Sequence, residues 1–172
     1  MKNKIFNFDK QDLFPVSLIL IMVVSRLIPH PPNFTPIIAI AMMSGFFFKN
    51  LNFSLIILIV SMLLGDIFLG FYSSMAFIYM PLCLIVLCMF KINNKINFKN
   101  LFFMGLGSSI FFYLTSNFGV WAIGTMYEKN VSGLINCYIL AIPFFKNTLI
   151  STVIFSYTAY SANYYLKKKF SY

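Results

Sequence analysis

Negative charge is nearly missing from this chain: 172 residues hold four carboxylates, Asp9, Asp12, Asp66 and Glu128. Histidine, arginine and tryptophan occur once each, as His30, Arg26 and Trp121. Without a carboxylate pair or a second histidine, two-carboxylate acid–base chemistry and a histidine-rich metal site are both excluded. The three cysteines, Cys83, Cys88 and Cys137, lack metal-ligand spacing and read as packing residues. No GxxxxGK[ST], HExxH or GxSxG pattern is present, which removes P-loop nucleotide hydrolysis, zinc proteolysis and serine hydrolysis. The chain is therefore not read as an enzyme, and it calls for no metal or other cofactor. An inverted internal repeat of the kind built into many secondary transporters is also lacking.

What fills the chain instead is apolar. Hydrophobic residues make up 60% and charged residues 10%, with a mean hydropathy of +0.84. Soluble domains run nearer a quarter charged, and a water-soluble fold of this length has no means of hiding so much apolar surface. A bilayer requires it. The reading is one integral-membrane domain over residues 1–172. The opening MKNKIFNFDKQD is polar, and no small-residue cleavage site follows the first apolar run, so no cleavable signal is expected.

Six apolar stretches stand out: Leu13–Pro29, Pro36–Phe48, Phe53–Tyr72, Ser74–Phe90, Leu101–Ile123 and Leu140–Leu166. Most approach the ~20 residues needed to cross hydrocarbon, and the second is short. Charge decides its fate. With six crossings and the N-terminus inside, Lys2, Lys4, Lys10, Lys49, Lys91, Lys95, Lys99 and Lys167–Lys169 all face the cytoplasm. Only His30, Glu128 and Lys129 then fall in outer loops. The positive-inside rule selects an all-α bundle of six transmembrane helices, both termini cytoplasmic. The same placement explains the net charge of +9 without nucleic acid, because the lysines flank spans and meet anionic head groups of the bilayer.

Polarity inside the spans gathers towards the outer surface. Arg26 and Asp66 lie at similar depths near the outer ends of the first and third spans. An unpaired ion there costs roughly 2–3 kcal/mol, so the two are expected to pair, either as a staple or as part of a ligand site. Between them runs PHPPNFTP, residues 29–36, a stiff connector rich in proline. It carries His30, open to a solvated, proton-responsive or metal-ligand role with the solvated one favoured, and Asn33, open to ligand contact. Thr35 is expected to cap the next helix, with Pro36 at its first position. The fifth span ends in TSNFGVWAIG, bringing Asn117 and Trp121 to the same face. Trp121 suits either the pocket or the interfacial belt. In the outer loop, Val131, Leu134, Ile135 and Tyr138 follow helical spacing and predict a short amphipathic helix over the opening. The sixth span opens with AIPFFKNT, adding Lys146, Asn147 and Thr148, with Pro143 at its start or at a kink. The inner half, with Gly105 and Gly107, lacks ionisable residues inside the spans. Together these segments predict an outward-facing pocket whose candidate binding residues are Arg26, His30, Asn33, Asp66, Asn117, Trp121, Tyr138, Lys146 and Asn147. The aromatics, cations and amides suit a small planar solute, with an anion favoured by Arg26 and Lys146.

The run Arg26…Pro29-His30-Pro31-Pro32-Asn33-Phe34-Thr35-Pro36, then Gly65-Asp66, Asn117-Phe118-Gly119-Val120-Trp121 and Ala141-Ile142-Pro143-Phe144-Phe145-Lys146-Asn147-Thr148 resembles a family of small bacterial integral-membrane proteins. That family has no assigned function and is described only in terms of transport. Its members often carry an acidic residue after the Asn-Thr pair, where this chain has Ser151 and Thr152. More distantly, the chain resembles the substrate-binding S components of energy-coupling factor vitamin transporters. That resemblance implies a six-helix fold, a pocket near the outer surface, and a place in the bacterial inner membrane. It also implies a transmembrane coupling subunit with partner ATPases, docked on a small-xxx-small helix face. Ala41 and Gly45 are the counterpart here. Two functions follow as expectations: a substrate-binding subunit for uptake of a vitamin-like micronutrient, or a structural or assembly subunit in which Arg26–Asp66 is a pin.

Overall fold

The structure, a computed structural model, describes residues 12–170. Six helices follow one another: α1 Leu13–Ser25, α2 Ile37–Phe47, α3 Leu51–Leu69, α4 Ala76–Ile92, α5 Phe98–Ile123 and α6 Val131–Phe170. The described residues contain no strand. Helices α3 to α6 are long and apolar enough to cross a membrane, whereas α1 and α2 are shorter. This is a multi-pass, all-helical membrane protein.

Asparagine starts three of the helices. Asn50 accepts from the Phe53 N–H at 3.2 Å, Asn97 from Asn100 at 2.8 Å, and Asn130 from Gly133 at 2.7 Å. Each bond satisfies a backbone donor that the first turn leaves free. Helix α3 ends at Gly70, whose φ of 95° suits a residue without Cβ, and whose N–H returns to the Asp66 carbonyl at 2.8 Å. Thr35 caps nothing. Helix α2 begins after Pro36, whose carbonyl accepts from Ile40 at 2.8 Å, and no side chain caps it.

The distribution of polarity suits a hydrocarbon solvent. Ser44, Ser54, Ser61, Ser109, Ser151, Thr152 and Ser156 are buried, while Ile21, Phe68, Phe103 and Leu140 stand exposed. In water that arrangement would be costly; in lipid the exposed faces are already solvated.

The second helix is the hub. From Ile38 to Gly45 every residue of α2 is buried, and α2 packs against all five other helices. A helix apolar all round belongs in an interior. At 11 residues it measures only about 16 Å, and with protein on every side it has no hydrocarbon thickness to match. This placement corrects the expected docking role of Ala41 and Gly45. Both are buried, and a Cβ on Gly45 would meet the Val86 carbonyl oxygen at 2.5 Å and the Met89 Cβ at 2.8 Å. The small residues let α2 cross α4 at close range within this chain, so that face is not open to a coupling subunit.

Helix α6 also differs from expectation. Residues 131–138 are not a separate helix over the opening but the first two turns of α6. Its 40 residues span about 60 Å, roughly twice the hydrocarbon thickness. Pro143 lies inside it, an interruption that membrane helices tolerate. The buried stripe of α6 is made mostly of small and hydroxyl residues, Cys137, Ala141, Thr148, Ser151, Thr152, Ser156 and Ala159, with Asn163 at its end.

Candidate functional site

The expected ion pair forms. Arg26 Nη2 lies 2.8 Å from Asp66 Oδ1, with the two side chains 7% and 1% exposed. The second carboxylate oxygen accepts the Tyr79 hydroxyl at 2.6 Å. Arg26 Nη1 reaches the Met62 carbonyl at 3.4 Å. The guanidinium lies against Gly65, where a Cβ would collide with Nη1, so the glycine is what lets Arg26 reach across α3. Both oxygens of Asp66 are therefore taken by protein groups, and three elements are tied together: the end of α1, α3 and α4. Just beyond, the His30 ring sits between the carbonyls of Pro31 at 2.9 Å and Arg26 at 3.3 Å, folding the connector back on the end of α1.

The connector's own carbonyls are met from α6. Asn147 donates to Pro32 at 3.0 Å, Thr148 to Asn33 at 3.4 Å and Ser151 to Thr35 at 3.0 Å. Irregular backbone survives at membrane depth only where protein or water satisfies it, and these three side chains do so. Ser151, read only as a replacement for a family carboxylate, is one of them. Asn33 takes a left-handed φ of 60°, a conformation asparagine tolerates better than most residues. Lys146 is exposed and forms no hydrogen bond or ion pair among the described residues.

The C-terminal end of α5 and the N-terminal end of α6 are clasped. Tyr113 donates to the Tyr138 carbonyl at 2.5 Å, and Tyr138 donates to the Leu114 carbonyl at 2.8 Å. The loop that joins the helices folds onto Trp121. The indole N–H donates to the Glu128 carbonyl at 2.9 Å, while Lys129 donates to the carbonyls of Trp121 and Gly124. The Lys129 ammonium also lies 5.7 Å from the centre of the indole ring. Asn130 holds the Glu128 carboxylate at 2.8 Å, and Gly133 leaves room for the Glu128 carbonyl where a Cβ would clash.

Between this loop, the connector and the α5–α6 pair lies a pocket of about 270 Å³, with Asn33, Asn117, Met126, Tyr127, Cys137 and Phe144 among its walls. The Asn33 amide and the Tyr127 hydroxyl make no hydrogen bond with any described residue. Asn117 donates to the Tyr113 carbonyl at 2.8 Å and keeps its side-chain oxygen free of described partners. No charged side chain lines the pocket.

Of the nine candidate binding residues, Asn33 and Asn117 line this pocket. Arg26, His30, Asp66, Trp121, Tyr138, Lys146 and Asn147 do not. Most of these seven build the frame instead: the ion pair, the connector's anchors and the clasped loop. Met126, Tyr127, Cys137 and Phe144 were not singled out by the sequence for the site. The one available signal was their position, since Met126 and Tyr127 fall in the loop between α5 and α6 beside Trp121.

A family model described as "Family of unknown function (DUF6580)" matches residues 6–172, nearly the whole chain. No curated protein and no solved structure matches.

Proposed function

The chain belongs to this family of unknown function, and from its own residues we propose that it is a substrate-binding membrane subunit for uptake of a small molecule. The observation that carries this reading is the pocket of about 270 Å³ with groups of Asn33, Asn117 and Tyr127 on its walls that have no partner among the described residues. Small-molecule sites are mostly apolar concavities with a few convergent polar groups, and drug-sized ligands need ~300–1,000 Å³. A solute slightly below that size fits, held by amide and phenol contacts against Met126, Phe144 and Cys137.

The walls also revise the expected charge. Arg26 is neutralised by Asp66, Lys129 is tied to backbone carbonyls, and Lys146 sits outside the pocket. A ligand there is neutral, because none of the described lining residues offers a cation for an anion to meet. In this proposal the chain sits in the bacterial inner membrane with six crossings and both ends cytoplasmic. Energy comes from a partner, as in the energy-coupling factor transporters whose S components it resembles. A coupling subunit would dock on a face other than the buried one of Ala41 and Gly45.

A second reading is favoured by a specific observation: the closed Arg26–Asp66–Tyr79 network behaves as a structural pin. On that reading the chain is an assembly subunit of a larger membrane complex. Native mass spectrometry of protein extracted from its own host separates the two. The binding reading expects a retained neutral solute of low mass, lost when Asn33→Ala or Tyr127→Phe removes a polar contact. One such contact is worth about 1–3 kcal/mol, or roughly five- to a hundredfold in affinity. Solute-free protein that co-purifies with a large complex would replace it with the structural reading.

A further inference from the structure

The opposite end of the bundle holds a second recess, of about 340 Å³, lined by Phe46, Tyr160, Asn163, Tyr164 and Lys168. It opens between the last turn of α2 and the C-terminal turns of α6, with Phe46 and Tyr160 stacked 5.5 Å apart as one wall. Asn163 is 5% exposed, yet its amide forms no hydrogen bond with any described residue. The amide is thus available to a group that enters the recess. The hydroxyls of Tyr160 and Tyr164 and the ammonium of Lys168 also lack described partners. The lining thus offers hydrogen-bond donors of three kinds, one of them cationic, and no carboxylate.

Its surroundings have the same sign. Lys49, Lys91, Lys95 and Lys99 are exposed at this end of the helices. Phe98, next to Lys99, packs edge-on against Tyr160 at 6.0 Å. Tyrosines beside lysines where apolar helix faces give out is the pattern of the head-group layer, and basic pockets between transmembrane helices suit phosphorylated head groups.

We propose that this recess binds a phosphate-bearing anion, in a membrane the head group of an anionic phospholipid. The phosphate accepts from Lys168 and Asn163, and the two tyrosine hydroxyls flank it. This site is independent of the outer pocket and of the transport reading.

The test is native mass spectrometry of the full chain released from nanodiscs that contain phosphatidylglycerol and phosphatidylcholine with matched acyl chains. The expected result is preferential retention of phosphatidylglycerol, reduced roughly fivefold by Lys168→Gln and lowered also by Asn163→Leu. Lys168 is exposed, so its replacement does not endanger folding. Lys91→Gln removes the same charge from α4 outside the recess and is expected to leave retention unchanged. A competition arm identifies the source of the phosphate. Displacement of the lipid by millimolar inorganic phosphate supports the anion site with a soluble occupant, and persistence of the lipid supports the head group. Equal retention of the two lipids, or equal loss in Lys91→Gln and Lys168→Gln, overturns the proposal, because either result describes diffuse attraction to a basic surface.

Discussion

Replacing Asp66 by alanine leaves a guanidinium that is 7% exposed without its carboxylate and a Tyr79 hydroxyl without its acceptor. Removing one partner of a buried pair costs about 3–5 kcal/mol, mostly through the charge left behind. For a chain of this length that corresponds to a fall in Tm of about 6–20 °C, at roughly 2–4 °C per kcal/mol. Tyr79→Phe removes one hydrogen bond to a charged group and is expected to cost less, about 1.5–3 kcal/mol. Arg26→Met combined with Asp66→Leu removes both charges and fills their volume, so it is expected to recover most of the loss. Gly65→Ala supplies an internal control. Its Cβ lands on Arg26 Nη1, so it should damage the intact pair yet be tolerated once residue 26 is methionine. Thermal unfolding in a mild detergent, followed through the single Trp121, reads these variants together with Arg26→Met and Asp66→Leu alone. If the Arg26 and Asp66 substitutions prove additive, or if Gly65→Ala costs the same in both backgrounds, the two side chains are not coupled and the pin does not exist.

Three further outcomes are expected. In a cysteine-free background, a cysteine at Asn94 or Lys168 should be shielded from an impermeant thiol reagent in intact cells, whereas one at Lys129 should label; labelling at Asn94 would reverse the orientation. Gly45→Ala should destabilise, because its Cβ meets the α4 backbone, while Gly107→Ala meets nothing within 4 Å and should stabilise by up to about 1 kcal/mol in thermal unfolding. Tolerance at Gly45 would show that the α2–α4 crossing has been misplaced, and loss of stability in Gly107→Ala would show that this face of α5 is not open. Ser151→Ala and Asn147→Leu each strand a connector carbonyl and should cost about 1–3 kcal/mol and speed proteolysis between residues 29 and 36; unchanged cleavage would refute the anchoring role.

The runs of apolar residues located the helices well, because the thickness of a bilayer sets their length from outside. Depth was legible too: counting residues from the ends of the spans brought Arg26 to the level of Asp66. Direction around each helix was not. Asn147 lies at the depth expected of a site residue, but it faces the connector and bonds the Pro32 carbonyl. Trp121 lies at the right end of α5, but its N–H is held by the Glu128 carbonyl. Small residues were ambiguous for a related reason. Ala41 and Gly45 permit close approach of any helix, and only the fold shows that the helix is α4. The first two turns of α6 read as a separate element because a proline at 143 looks like a boundary, and sequence alone does not show a helix running through it.

The position of α2 has a consequence for how the protein is made. This segment is second in the order of synthesis, but all four long helices around it, α3 to α6, emerge after it. An 11-residue stretch falls well short of the ~20 that partition stably into hydrocarbon by themselves. Its connector waits even longer, since the side chains that satisfy Pro32, Asn33 and Thr35 sit in α6, the last helix to leave the ribosome. Biogenesis therefore cannot proceed helix by helix along the chain. A segment made early must be held at the membrane surface until the C-terminal helix arrives, and a chain shortened before residue 147 should stall there as a substrate for membrane proteases.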